Sequence, residues 1–260
     1  MNINKFKCFG STLNTGNEVL VITDSNLNID ERLSFTFKQG NSASVFMEEY
    51  DGSIILDYYY PHARSILCLH ATMAAGYLYF KQHTHLSSIN VITSMNKQNI
   101  QIEKRDNGIF LHVKPQPTKN LAIDAQLLHD LLNLDQSQIN STPVIASVGS
   151  PKLLIEVNTL ATLNHLQPNL DKINLWSKTN AISGCFVYYK SDEHNCIVRN
   201  FNHLNPLLED VATGVSAGAL ATHLKRDINL HQGSILNNPC LIQTKFLGDM
   251  VLVGGRVSLC

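Results

Sequence analysis

Two segments of this 260-residue chain are apolar nearly all the way round. Residues 69–80 read LHATMAAGYLYF and residues 213–225 read TGVSAGALATHLK. A surface helix carries one apolar stripe, so a helix that is apolar on every side is a buried one. Strand signals surround both. In the first half, Val19 to Ile22 follow the turn pair Gly16-Asn17. Val45-Phe46-Met47 and Ile54-Ile55-Leu56 then flank Asp51-Gly52, and Ile100/Ile102 and Ile109/Leu111/Val113 flank Asp106-Asn107-Gly108. Both read as hairpins. In the second half, strands are expected at 144–148 and 153–157, around Gly149-Ser150-Pro151. Further strands at 186–189 and 197–201 bracket a polar loop, and strands at 242–246 and 250–253 turn at Gly248-Asp249. An amphipathic helix is expected over 121–134, with Leu127, Leu128, Leu131 and Leu132 on one face. One apolar helix and several strands in each half suggest a duplication. Pro115-Gln116-Pro117 breaks the pattern and places the boundary within 114–120. The expected halves are 1–116 and 117–260, with a return of the last strand to the first half left open.

Composition excludes several classes. Twenty Lys+Arg against 21 Asp+Glu give a formal charge of −1, the wrong balance for an electrostatic nucleic-acid binder. With 44% hydrophobic and 16% charged residues, the chain can build a sizeable core. No apolar run approaches the roughly 20 residues of a membrane helix, and no secretory signal is visible after Lys5 and Lys7. Six cysteines (8, 68, 185, 196, 240 and 260) are scattered without CxxC spacing, which argues against disulfides and structural zinc and for a reducing cytoplasm. His62, His83 and His85 lack an accompanying carboxylate ligand or HExxH context, so no metal is expected, although the last two would share a strand face. Neither a Walker A motif nor a strand-linked GxGxxG is present, so no cofactor is implied.

The two helix starts can be overlaid, Cys68-Leu69-His70-Ala71 on Thr213-Gly214-Val215-Ser216. A helix N-terminus offers unpaired N–H groups and partial positive charge to a carboxylate or phosphate. A duplicated fold that pointed both ends into one cleft would clamp an anionic substrate. Cys68 and His70 at the first end, and Glu209 and Asp210 at the second, could then move a proton on it. Against this stand a structural histidine, a buried cysteine and an aspartate that merely caps its helix.

Five segments, in order, resemble the PhzF-like isomerase family (phenazine-biosynthesis type), which is related in fold to diaminopimelate epimerase. Gly16-Asn17-Glu18 is similar to its GNP, and Ser42-Ala43-Ser44-Val45-Phe46 to its SETxF segment. Tyr60-Pro61 through Cys68-Leu69-His70-Ala71-Thr72 matches TPxxE…CGHAT. Arg199-Asn200-Phe201 leads to Glu209-Asp210-Val211-Ala212-Thr213-Gly214-Val215, similar to RxF…EDPATGS; Gln232-Gly233 and Val253-Gly254-Gly255 close the pattern. The resemblance implies an α+β fold of two pseudo-symmetric halves. Each is a curved, mostly antiparallel sheet wrapped around a central helix, with the site between the halves.

The departures fall on the family's working positions. Its proposed acid/base Glu falls on Ala43, and the PxxE glutamate on Arg64. Leu69 stands for a glycine and Val215 for a serine, which predicts a smaller, greasier site. Asp210 and His70 are the expected catalytic pair, sharing a proton near neutrality, with Leu69, Gly214, Val215, Thr213 and Asn17 lining the substrate. The expected function is cofactor-independent proton transfer on a small anionic metabolite. Three readings stay open: a rewired isomerase, a degenerate member kept for ligand or partner binding, and a thiol chemistry on Cys68 with Thr213 in place of a second cysteine. Rescue by Glu49 or Asp57 is weighed, a solvated hairpin face being the alternative. A homodimer is the prior for the assembly.

Overall fold

The computed structural model describes residues 1–40, 43–203 and 209–260, so Ser42 of the SETxF-like segment lies outside them. The chain divides into two compact units, Met1–His112 with Gly254–Cys260, and Val113–Val253. Among the described residues no helix is long and apolar enough to cross a membrane. The fold is α+β, curved sheet with few helices, as the sequence led us to expect.

In the first unit, β1 (Asn2–Cys8) pairs antiparallel with β2 (Asn17–Thr23), from Asn2↔Thr23 to Cys8↔Asn17. The chain crosses through α1 (Ile29–Lys38) to β3 (Ala43–Tyr50), which lies parallel to β2 with Val19 beside Ala43. β4 (Ser53–Tyr60) returns through Asp51-Gly52, both at positive φ as a tight two-residue hairpin demands, and β5 (Ala63–Ser65) turns back on it. After α2 (Leu69–Gln82) come β6 (Ser88–Thr93), β7 (Asn99–Arg105) and β8 (Gly108–Val113). Helix α2 packs against β1, β2, β3 and β7 and buries ten of its 14 residues, as its all-round apolar sequence requires. Helix α1, which the hydrophobic pattern did not announce, covers a cluster of Leu20, Ile22, Phe46 and Tyr59 with its Leu33 and Phe35. Its start carries a capping box: Asn28 accepts from Glu31 N–H while Glu31 accepts from Asn28 N–H.

In the second unit, α3 (Ala125–Leu132) is shorter than the expected helix and is capped by Asp124. It precedes β9 (Val144–Ala146), β10 (Lys152–Glu156), α4 (Leu160–Asn164) and α5 (Leu170–Asn180). Then follow β11 (Cys185–Lys190), β12 (Asn195–Phe201), the two-residue β13 (Glu209–Asp210) and α6 (Gly214–Leu224). β14 (Asn229–Gln232), β15 (Cys240–Phe246) and β16 (Val251–Gly255) follow, and β17 (Val257–Leu259) pairs with β1 within the first unit. On β10 the period of two sorts the side chains. Leu153 and Ile155 join the cluster of Leu128, Leu131, Leu163 and Ile173 from α3, α4 and α5, whereas Lys152, Leu154 and Glu156 turn to the other face. Helix α6 packs against β9, β10 and β15.

Each buried helix carries a glycine where it meets its sheet. A Cβ at Gly76 would fall 2.7 Å from Ile102 Cγ2, and one at Gly218 would fall 2.8 Å from Val148 Cγ2. Both helices therefore approach their strands more closely than an alanine would allow.

Candidate functional site

At the start of α2, Cys68 occupies the cap position with extended backbone and makes no side-chain cap. Its thiol receives the Tyr60 hydroxyl at 3.3 Å and lies 3.4 Å from His70 Nδ1. Thr72 donates to the Cys68 carbonyl at 2.8 Å and meets the Tyr58 hydroxyl at 2.7 Å. Cys8 donates its thiol hydrogen to the His70 carbonyl at 3.1 Å, and Asn17 is Cys8's partner across β1 and β2. The structure thus gathers Asn17, Cys68, Leu69 and His70 at one helix end. That end is closed: Cys68 and Leu69 are each 3% exposed, and His70 9%. Burial pushes the His70 imidazole down to about 4, so it is neutral at neutral pH. Ala43 is also buried and offers only a methyl.

The start of α6 is built differently. Asp210 pairs directly with Asn200 across β12 and β13, so both side chains leave the same face of the sheet. Thr213 donates its hydroxyl to Asp210 Oδ2 at 2.6 Å. Gln232 fixes this turn from β14: its Nε2 donates to the Asp210 carbonyl at 2.7 Å and to the Thr213 hydroxyl at 3.2 Å, and its Oε1 accepts the Thr213 N–H at 3.0 Å. Glu209 points the other way. Arg199 clamps it through two bonds of 2.9 and 2.7 Å while also donating to the Leu163 carbonyl at 3.0 Å. Glu209 is therefore a structural partner that orients β13, and Asp210 is the acidic side chain left at the helix end. Gly214 is buried, whereas Val215 and Asp210 keep part of their surface open to solvent. Protein crowds the Asp210 carboxyl, and this desolvation raises its pKa above the ordinary aspartate value. The Thr213 hydrogen bond, the charge of Lys152 and the N–H groups of Ala212 and Val211 oppose that rise.

Lys152 is the functional candidate that sequence reasoning missed. It is 3% exposed and donates to the Ser183 carbonyl, and no ion pair holds it among the described residues. Burial pushes its ammonium down to about 8, against the pull of Asp210 and Cys185. Two β10 neighbours on the same face show the contrast. Glu156 is equally buried but saturated, accepting from Asn140, Ser141, Tyr188 and Lys190. Two charged residues four apart in an otherwise apolar strand were the available signal. Asn200 adds a buried amide nitrogen with no hydrogen-bond partner among the described residues.

The remaining expectations resolve into structure. Arg64 donates to Asp57 at 2.8 Å and to Ser94 at 2.9 Å, and Arg32 reaches the same carboxylate at 3.1 Å. Asp57, 3% exposed, also accepts the Tyr59 hydroxyl at 2.8 Å; it is neither a free base nor part of a solvated face. Glu48 pairs with Arg32 and Glu49 is exposed. His83 stacks on Tyr79 at 4.1 Å and closes the end of α2, so His83 and His85 do not share a strand as expected. Among the described residues no three His, Cys, Asp or Glu side chains group closely enough to hold an ion.

The geometry now meets the comparisons. The family model described as phenazine biosynthesis-like protein (PhzC–PhzF) matches residues 6–243. An uncharacterized isomerase of Clostridium acetobutylicum is 26% identical over 249 residues, covering 86% of this chain and 78% of that protein. The solved structure of a predicted epimerase from Pseudomonas aeruginosa is similar with a TM-score of 0.81 at 21% identity, covering 99% of this chain and 96% of that one. A PhzF-family protein from Enterococcus faecalis gives 0.79 at 16% identity, over 99% and 95% of the two chains. Those two likenesses speak for the fold, and the family match for kinship: this chain belongs to the phenazine biosynthesis-like, PhzC–PhzF family.

Proposed function

We propose that this protein is a cofactor-independent isomerase or epimerase that moves a proton on a small carboxylate metabolite, with Asp210 as the acid/base. The observation that carries the reading is Asp210: a partly exposed residue whose carboxyl is desolvated and held at the start of α6 by Thr213 and Gln232. A carboxylate whose pKa is raised above the ordinary aspartate value is a stronger base than a fully solvated aspartate. The α6 N–H groups and the Asn200 amide supply donors for the substrate's carboxylate. Lys152 supplies a nearby positive charge that favours the ionised Asp210. His70, kept neutral by burial, is not a charged acid at neutral pH. Kinship with an uncharacterized isomerase supports the reaction class. The reading includes a cytoplasmic setting, in keeping with six free cysteines, five of them buried, and a homodimer as the common closed assembly.

Ala43 favours a second reading, a family member that binds a metabolite or partner without turning it over. A methyl group cannot carry a proton, and a lost acid/base residue typically costs about 10²–10⁴-fold in rate. Deuterium incorporation separates the two. The protein is incubated in D₂O with pooled small carboxylates and amino acids, beside Asp210→Asn and Ala43→Glu variants. The proposal expects label with the wild type and at least about a hundredfold less with Asp210→Asn. Equal labelling by Asp210→Asn contradicts it, and label appearing only with Ala43→Glu establishes the second reading.

A further inference from the structure

A second concave site lies at the opposite end of α2, about 16 Å along the helix from His70. It is a cavity of about 570 Å³ in the first unit. Its apolar lining includes Tyr77, Phe80 and Ile109, and Phe80 and Ile109 are nearly fully buried. Four cationic side chains line it, Lys81, Lys104, Arg105 and Arg256, against one carboxylate, Asp106. Arg105 is already committed to Glu103 through bonds of 3.0 and 3.1 Å. Lys81, Lys104 and Arg256 have no ion-pair partner among the described residues. The wall is fixed by backbone: a Cβ at Gly108 would fall 2.1 Å from the Gly255 carbonyl oxygen, so the β7–β8 turn lies directly against the last segment of the chain.

Three cations without ion-pair partners among the described residues, set around an apolar lining of which Tyr77 is partly exposed, form a site whose charge is unmet. Like charges gathered at a concave wall raise the local potential and attract anions. An apolar floor rewards a ligand with a carbon body over a bare ion. We propose that this cavity binds an organic anion, a flat or aromatic body carrying carboxylate or phosphate groups, at a site separate from Asp210. The anionic groups sit at Lys104, Lys81 and Arg256, and the body lies against Tyr77 and Ile109.

The test uses the whole protein and two probes, phthalate and inorganic phosphate, followed by amide NMR. Phthalate should shift the amides of Tyr77 and of 104–108 and leave those of 213–216 unmoved. The double variant Lys104→Ala/Arg256→Ala should bind phthalate about tenfold more weakly. Both positions are exposed, so folding is preserved, and Lys104→Arg with native Arg256 should keep the affinity within about threefold. Phosphate should bind more weakly than phthalate. No shift at 104–108, unchanged affinity in the double variant, or phosphate binding as tightly as phthalate would each overturn the proposal.

Discussion

The two buried helices begin in the same way and end up in opposite surroundings. Each follows a residue at strongly negative φ with no side-chain cap, Cys68 at φ −142° and Thr213 at φ −126°. At α2 the flanking side chains are a thiol, a leucine and a neutral imidazole, all buried. At α6 they are a carboxylate, a hydroxyl and a glycine, with Asp210 and Val215 partly open and an ammonium nearby. The helix N-terminus is thus a shared scaffold feature, and the side chains decide whether an anion can use it. In this chain the first end has become core and the second has stayed polar.

The sharpest way to break the comparison is to attack the support of the first unit. Arg64 stands at a family glutamate position, yet the structure makes it a partner of Asp57, together with Arg32. Asp57→Ala should leave two largely enclosed guanidinium groups without their shared anion and cost about 3–4 kcal/mol in urea unfolding. Glu48→Gln, on the exposed side of the same network, should cost no more than about 1 kcal/mol. Equal and small losses would mean that Arg64 is not structural and reopen a role at the site.

A smaller effect tests whether the α2 end is core. His70 titrates near 4 in the folded protein against 6.5 for an ordinary histidine, so between those values the unfolded chain binds the extra proton. Stability should therefore be complete above pH 6.5 and fall as pH drops toward 4, by at most about 3 kcal/mol from this group. His70→Gln should flatten that part of the stability profile. A wild-type profile already flat between pH 6.5 and 4 would show that the imidazole is solvated.

Much of this was legible in the residues, and for reasons that differ by element. The all-round apolar runs at 69–80 and 213–225 could only be buried helices, and Asp51-Gly52 could hardly be anything but a hairpin turn. Helices α1 and α5 were passed over because their apolar residues are spaced irregularly and only part of each is buried. At the site, Asp210, Thr213 and Gly214 were visible through their motif. Lys152 acts through register and reach: it comes from a strand distant in sequence, and nothing local in the chain says which face it will join, whereas Gln232 stood in a motif whose partners, Asp210 and Thr213, only the fold reveals. Arg64 misled for the same reason, since its partner Asp57 becomes adjacent only when β4 and β5 pair.

The central claim is that the α6 end holds a desolvated, cation-coupled carboxyl, and this can be measured without knowing the substrate. Carbon-13 NMR of aspartate side chains, assigned with Asp210→Asn, gives the Asp210 titration in the wild type and in Lys152→Met. The account predicts a midpoint above the ordinary aspartate value in the wild type and a further rise when the ammonium is removed. A midpoint at or below that value, or one that Lys152→Met leaves unmoved, would contradict it.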